Sequence, residues 1–261
     1  MAARQTDAPA SGAGENAIVL RGLQKEWDGM PVLRGVDLVV PRGCIYGLIG
    51  PGAAGKSVLL KMITGLIRPD SGDVIVEGRD VLAMNELELA DFRLRFGMLF
   101  QNNALFDFMN VRENISFPLE RMTKLDREQI ADKVRDRLKV VSLAGFEERV
   151  PAGLSGGQKK RIGFARASVM NAPIALYDEP AAGLDPVTSQ RIFDLVRTEQ
   201  RRSGGTVVTV SSDLDRLLTV TDRVGMLYRG KLIFDGTTAE AKASDHPYVR
   251  QFVHGLTEGP L

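Results

Sequence analysis

Cysteine is nearly missing from this sequence: Cys44 is the single one in 261 residues. One thiol cannot close an internal disulfide or build a thiolate zinc cluster, and such sparing use suits a reducing compartment. Cys44 itself sits in an apolar run and reads as core filler. Long apolar runs are missing too. None approaches the roughly 18–20 residues that a membrane-spanning helix needs, so a soluble or peripheral protein is expected. An excess of one charge is also lacking. Lys plus Arg number 34 against 33 Asp plus Glu, a net charge of +1, and bulk electrostatics therefore argues for neither nucleic acid nor an anionic membrane surface. No internal repeat is visible. Met1 to Asn16 is rich in Ala, Gly and Ser without the apolar centre of a signal peptide, so a flexible tail is expected over 1–16.

What is present is globular material, with 44% apolar and 26% charged residues. The length allows one large α/β domain or two small ones. The most informative stretch is Gly50-Pro51-Gly52-Ala53-Ala54-Gly55-Lys56-Ser57. It follows the apolar run Cys44 to Ile49, which reads as a buried strand. It leads through Val58 into a helix ending near Thr64. Strand, G-x-x-x-x-G-K-S, helix is the P-loop order. The glycines let backbone N–H groups and a helix N-terminus face a phosphate chain. Lys56 would meet the β and γ phosphates and Ser57 would ligate Mg²⁺, so a nucleoside triphosphate is the expected ligand.

Strands are predicted at Ile18–Leu20 and Val36–Val40, with a turn over Trp27–Pro31 between them. Trp27, the only tryptophan, either stacks on an adenine base or is partly buried core. After the turn Arg68–Gly72 and a short strand Asp73–Val76, Asn85–Arg95 reads as a helix with Asn85 as N-cap and Glu88 three residues on. Phe96–Phe100 is a core strand delivering Gln101. Strand signals then vanish until about Arg166, and an inserted helical subdomain is expected over about 101–166. Within it, Ile130, Val134 and Leu138 mark an amphipathic helix over Asp126–Val140. Strands resume at Ile174–Tyr177, Thr206–Val210 and Val224–Tyr228. Asp185-Pro186 starts a helix as N-cap and N1. Arg229-Gly230 turns into a strand over Lys231–Asp235. A short amphipathic helix and tail are expected over 245–261.

Two further sites point to phosphate chemistry. Leu154-Ser155-Gly156-Gly157-Gln158 opens a helix with exposed donors, a second anion-binding helix start. The strand Ile174–Tyr177 delivers Asp178 and Glu179 at its C-terminal end, and Ala181-Ala182-Gly183-Leu184-Asp185 follows. With these in order, the span from about Ile18 to Gly236 resembles the ATPase subunit of an ABC transporter. The implied fold is an α/β P-loop NTPase with a mixed sheet core and an inserted helical subdomain, spanning 17–244. Gln101–Asp107, Val111–Asn114, Phe117-Pro118-Leu119 and the tail residues Val249–Phe252 and Glu258-Gly259-Pro260 are similar to a narrower group. These are the ATPases that energise phospholipid transport with MCE-domain proteins, as in Mla-type systems of the Gram-negative envelope.

The resemblance implies ATP and Mg²⁺ as cofactors and a head-to-tail pair of chains. Gly50 to Val58 of one subunit and Ser155, Gly156, Gly157 and Gln158 of the other would enclose each nucleotide. Asp185 would tie the two sites together, and Trp27 would stack on adenine. Ser57, Gln101 and Asp178 would hold Mg²⁺, and Glu179 would activate the attacking water. A separate membrane permease, an MCE-domain protein and a small regulatory subunit are implied as partners, with a peripheral location on the cytoplasmic face of the inner membrane. One position departs from the pattern: the histidine expected before Asp213 is Ser212. Both histidines of the chain, His246 and His254, lie in the tail. A lost transition-state donor typically costs on the order of 10²–10³ in rate, so turnover is expected to be slow and Ser212→His to raise it. Two other classes remain open, a soluble ABC ATPase of the iron–sulphur assembly type and a nearly inactive ATP-gated clamp. Co-purification of a permease separates the first, and single-turnover hydrolysis the second.

Overall fold

A hairpin opens the fold. β1 (Asn16–Trp27) and β2 (Met30–Pro41) pair antiparallel around Asp28-Gly29. These two residues have φ of 50° and 76°, the left-handed pair a tight hairpin turn demands. Residues 16–261 are described in this computed structural model; the tail expected over 1–16 lies outside them, except that Asn16 already belongs to β1. Both strands run further than apolar alternation suggested. Arg21, Gln24, Lys25 and Glu26 are polar, and register shifts between Leu20 and Gln24 interrupt the period. β4 (Ser71–Val76) pairs with the other edge of β1, and β5 (Arg79–Asp80) follows it, in the order β2-β1-β4-β5.

The second sheet carries the chemistry. It contains β3 (Ile45–Ile49), β6 (Phe96–Leu99), β7 (Ile174–Asp178), β8 (Thr206–Val210), β9 (Arg223–Tyr228) and β10 (Lys231–Thr237), in the order β10-β9-β3-β8-β7-β6. All neighbours are parallel except the β9–β10 hairpin. β3 and β8 are buried along their whole length, as expected of parallel strands covered on both faces. Packed around the sheets are α1 (Lys56–Ile63), α2 (Glu86–Arg93), α6 (Pro186–Ser203) and α7 (Leu214–Val220). The capping residues read from the sequence are in place. Asn85 and Glu88 form a reciprocal box on α2, and Asp185 with Pro186 opens α6.

Between β6 and β7 the chain forms α3 (Val111–Met122), α4 (Arg127–Val140) and α5 (Gly156–Ser168). Asp126 and Gln129 cap α4 reciprocally. Val134 and Leu138 are fully buried and Ile130 partly so, in a cluster with Ile115, Leu119, Ile162 and Phe164. Each such aliphatic contributes about 1.5–3 kcal/mol on burial. A polar clamp ties this helical layer to α6 and to the loop before β7. Arg137 of α4 donates to Glu199 of α6 at 2.6 Å and to Asn171 at 2.6 Å, and Arg202 reaches the same two partners. The chain closes with α8 (Thr238–Lys242) and α9 (Pro247–His254). The last residues fold back, with Leu261 N donating to Gln251 Oε1 at 2.8 Å.

Candidate nucleotide site

Strand order decides where the functional residues meet. β3, β8, β7 and β6 are consecutive parallel neighbours, so their C-terminal ends share one edge. Ligand crevices of open α/β sheets form at that edge. β3 ends in the Gly50–Ser57 loop, β8 in Ser211–Asp213, β7 in Asp178-Glu179 and β6 in Gln101. Segments far apart in the chain are thereby placed side by side.

The loop after β3 can take this path only with glycine at its ends. Gly50 has φ 140°, and a Cβ there would stand 2.0 Å from Leu227 O. Gly55 has φ 100° and its Cβ would meet Leu33 and the Val32 carbonyl of β2. It is also the N-cap of α1, where no side chain accepts from the first N–H groups, leaving them open to an anion. Ala53 is left-handed at φ 59°. Lys56 Nζ donates to Gly50 O and Pro51 O at 2.7 Å each. Burial lowers the pKa of this ammonium, while Glu179 and Asp178 close by act to raise it. Ser57 is half-buried in the first turn of α1, and Val58 packs on the main core.

Across from Lys56, Asp178 is only 5% exposed. Its Oδ1 has no hydrogen-bond partner among the described residues. A buried, unpaired carboxylate oxygen is costly unless a cation faces it. Together with the Ser57 hydroxyl this suits Mg²⁺, a hard cation that takes one or two protein oxygens and the phosphates of its nucleotide. Glu179 adopts φ 52°, a strained conformation for a residue with a side chain. Its N–H donates to Val210 O at 2.9 Å. Its Oε2 accepts from both Ser212 N and Ser212 Oγ at 3.1 Å.

Gln101 is exposed at the end of β6. Its carbonyl accepts from Lys160 Nζ at 2.8 Å, and two residues on, the carbonyl of Asn103 accepts from Arg166 at 2.8 Å. Both cations belong to α5. Sequence reasoning missed Lys160, because a lysine in a polar helix gives no signal; in the fold it is buried, which lowers its pKa, with Glu179 and Asp178 acting against that. It also passed over the role of Asn114, whose amide is fully buried. Asn114 accepts from Phe106 N and donates to the carbonyls of Phe106, Met109 and Asn110 at 2.9–3.1 Å. That amide fixes the loop after Gln101.

The remaining predicted residues form their own group. Ser155 and Gln158 cap the start of α5 reciprocally. A Cβ on Gly156 would meet nothing, and one on Gly157 would meet only Leu184 at 3.1 Å. Asp185 accepts from Val187 N and Thr188 N, and the Thr188 hydroxyl and these backbone donors hold its carboxyl below the usual range. No hydrogen bond joins Ser155, Gln158 or Asp185 to the Gly50–Ser57 loop among the described residues. Trp27 stands at the end of β1, 40% exposed, with Lys25 Nζ 5.5 Å from the ring centroid.

Residues 33–182 match the family described as ABC transporter. The chain is 39% identical over 245 residues to the probable ribonucleotide transport ATP-binding protein Mkl of Mycobacterium leprae, covering 94% of this chain and 71% of that protein. It is 36% identical over 226 residues to the intermembrane phospholipid transport system ATP-binding protein MlaF of Escherichia coli K12, covering 87% and 84%. Among solved structures, the dimeric ATP-binding cassette MJ0796 in a post-hydrolysis state with ADP and Pi superposes with a TM-score of 0.80. It is 28% identical, and the match covers 85% of this chain and 98% of that one. With a glycine-rich loop and two carboxylates gathered at one edge of parallel strands, the chain belongs to the family of ABC transporter ATP-binding proteins, an ATPase of the cassette fold.

Proposed function

We propose that this protein energises the transport of a phospholipid through a separate membrane permease, together with an MCE-domain lipid-binding protein. The support is its likeness to MlaF, joined to an apolar groove of about 420 Å³ beside the loop after Gln101. Phe96, Met98, Phe100, Phe106, Phe117 and Met170 line that groove. Phe106 packs on Phe117 with ring centroids 5.0 Å apart, while Phe108 is 81% exposed. An apolar surface of this kind marks a protein contact, and here the occupant is a helix of the permease. No helix among the described residues is long and apolar enough to cross a membrane, so attachment to the cytoplasmic face of the inner membrane would run through this contact. Phe108→Asp is expected to abolish co-purification with the permease from solubilised membranes while ATP affinity stays unchanged. Retained co-purification would show that the permease binds elsewhere.

In the proposed mechanism Lys56 and the free N–H groups of α1 bind the β and γ phosphates, and Trp27 stacks on the adenine. Ser57, Gln101 and Asp178 would hold Mg²⁺, which would neutralise charge on the phosphate oxygens. Glu179 accepts the proton of the attacking water. Ser155, Gly156, Gly157 and Gln158 of a second copy complete the phosphate enclosure, and Asp185 links the two sites. A two-fold pair of this kind closes on itself, giving two sites. Turnover is slow because Ser212 is shorter than the histidine it replaces.

The name of Mkl favours a second cargo, a ribonucleotide. Reconstitution decides between them. With permease and MCE-domain protein in vesicles, ATP-dependent movement of labelled phospholipid supports the lipid reading, and ATP-dependent uptake of ribonucleotide without lipid movement overturns it.

A further inference from the structure

Serine at position 212 does more than stand in for a missing ring. We propose that Ser212 is a positioning residue that fastens Glu179: its N–H and Oγ–H both hold Oε2, which leaves Oε1 as the proton acceptor. Both bonds measure 3.1 Å, and Oε1 accepts none among the described residues. The inference rests on the reading of Glu179 as the base that activates water.

The surroundings of Ser212 are fixed on either side. Ser211 is buried, and its Oγ accepts from Asp213 N at 3.0 Å. Asp213 caps α7, accepting from Arg216 N and pairing with the Arg216 guanidinium at 2.7 Å. The Ser212 backbone is therefore anchored from β8 and α7, and its two donors point at the neighbouring strand end. Glu179 has less support of its own. It sits at a left-handed φ of 52°, and its N–H is tied to Val210, the last residue of β8. Backbone and carboxylate are thus both referenced to β8, at two points. A carboxylate otherwise free about its terminal torsion adopts a broad range of angles; two donors on one oxygen narrow that range and choose which oxygen faces the water.

In the reaction this matters at the proton. The water oxygen forms its bond to the γ phosphorus as the bond from that phosphorus to the bridging oxygen breaks and ADP leaves. The water proton passes to Glu179 Oε1 and is returned to phosphate or solvent as the products depart. A carboxylate whose second oxygen is tied keeps Oε1 on the line of attack, whereas a loose one spends part of its time elsewhere. Positioning of this kind contributes to kcat and leaves ground-state ATP binding alone.

The test is a set of full-length variants assayed by single-turnover hydrolysis, ATP affinity and thermal unfolding. Ser212→Ala keeps the N–H donor and removes Oγ. It is expected to lower the hydrolysis rate about tenfold, the scale of one hydrogen bond to a charged group. ATP affinity and unfolding temperature stay at wild-type values, and Ser212→Thr, which restores the hydroxyl, recovers the rate. A rate unchanged by Ser212→Ala, with Glu179→Gln inactive, overturns the positioning role and leaves Glu179 as the base. A parallel fall in unfolding temperature and rate, not recovered by Thr, assigns the two bonds to stability alone. An active Glu179→Gln removes the base itself and the proposal with it.

Discussion

Glu179→Gln lowers the rate of ATP hydrolysis by about 10²–10⁴-fold, the range attributed to a positioned general base, and leaves ATP affinity intact. The substitution preserves shape. The amide oxygen can still accept from Ser212 N and Oγ, the two donors now on Oε2, so the strand ends stay joined. What is lost is the ability to take a proton. Lys56 loses a carboxylate that acted to raise its pKa, though Asp178 remains beside it, so the ammonium keeps a partner. With cleavage blocked and binding spared, ATP·Mg²⁺ should accumulate a pair of chains, visible as a doubled mass in size-exclusion chromatography with light scattering. A variant that hydrolyses at the wild-type rate in a single turnover would transfer the base to another group. A variant that binds ATP and stays a monomer, with the permease present, would remove the two-chain site.

Glu199→Ala destabilises the protein by about 3–5 kcal/mol, the cost of leaving a buried charge without its partner. Arg137 and Glu199 have side-chain exposures of only 8% and 16%. Arg137 has one other partner, Asn171, which is neutral. The reverse change is milder: Arg137→Met leaves Glu199 with the more exposed Arg202. Replacing both members of the pair by apolar residues of similar volume, Arg137→Met with Glu199→Leu, recovers most of the loss, because the desolvation of two charges is then no longer required. Urea denaturation of these variants, with Glu199→Leu alone as the matching single, checks this. An additive double variant, as unstable as the sum of the singles, would show that Arg137 and Glu199 do not act as a pair.

Much of the candidate nucleotide site is a matter of local sequence pattern. Gly50–Ser57, Asp178-Glu179 and Ser155–Gln158 are local patterns in which residue type alone states the chemistry. The caps of α2 and α6 were equally legible, since Asn85 with Glu88 and Asp185 with Pro186 act within one turn of helix. Strand order was not. That β8 lies between β3 and β7 follows from tertiary packing, and with it comes the meeting of Ser212 and Glu179. Two short helices, α7 and α8, passed unnoticed, because so few residues hold too little of a 3.6-residue period to register. β1 was cut short at Leu20 for the opposite reason: its outer half carries polar side chains on a bulged backbone held by β2. Lys160 gave no signal at all, and Asn114 entered only as part of a family pattern, with no role read for it. Their importance lies in the backbone groups they satisfy, and those become known only when the loop after Gln101 is seen.

The grip of α5 on that loop has a consequence for energy transfer. Lys160 and Arg166 rivet one helix to the carbonyls of Gln101 and Asn103, and Arg166 also lies over the Phe106 ring at 5.6 Å. The glycine-led tip of α5 and the aromatic groove are therefore joined through one helix and its two cations. Thermodynamic reciprocity then sets a rule: whatever factor a bound helix in the groove applies to nucleotide affinity, the nucleotide applies to the helix.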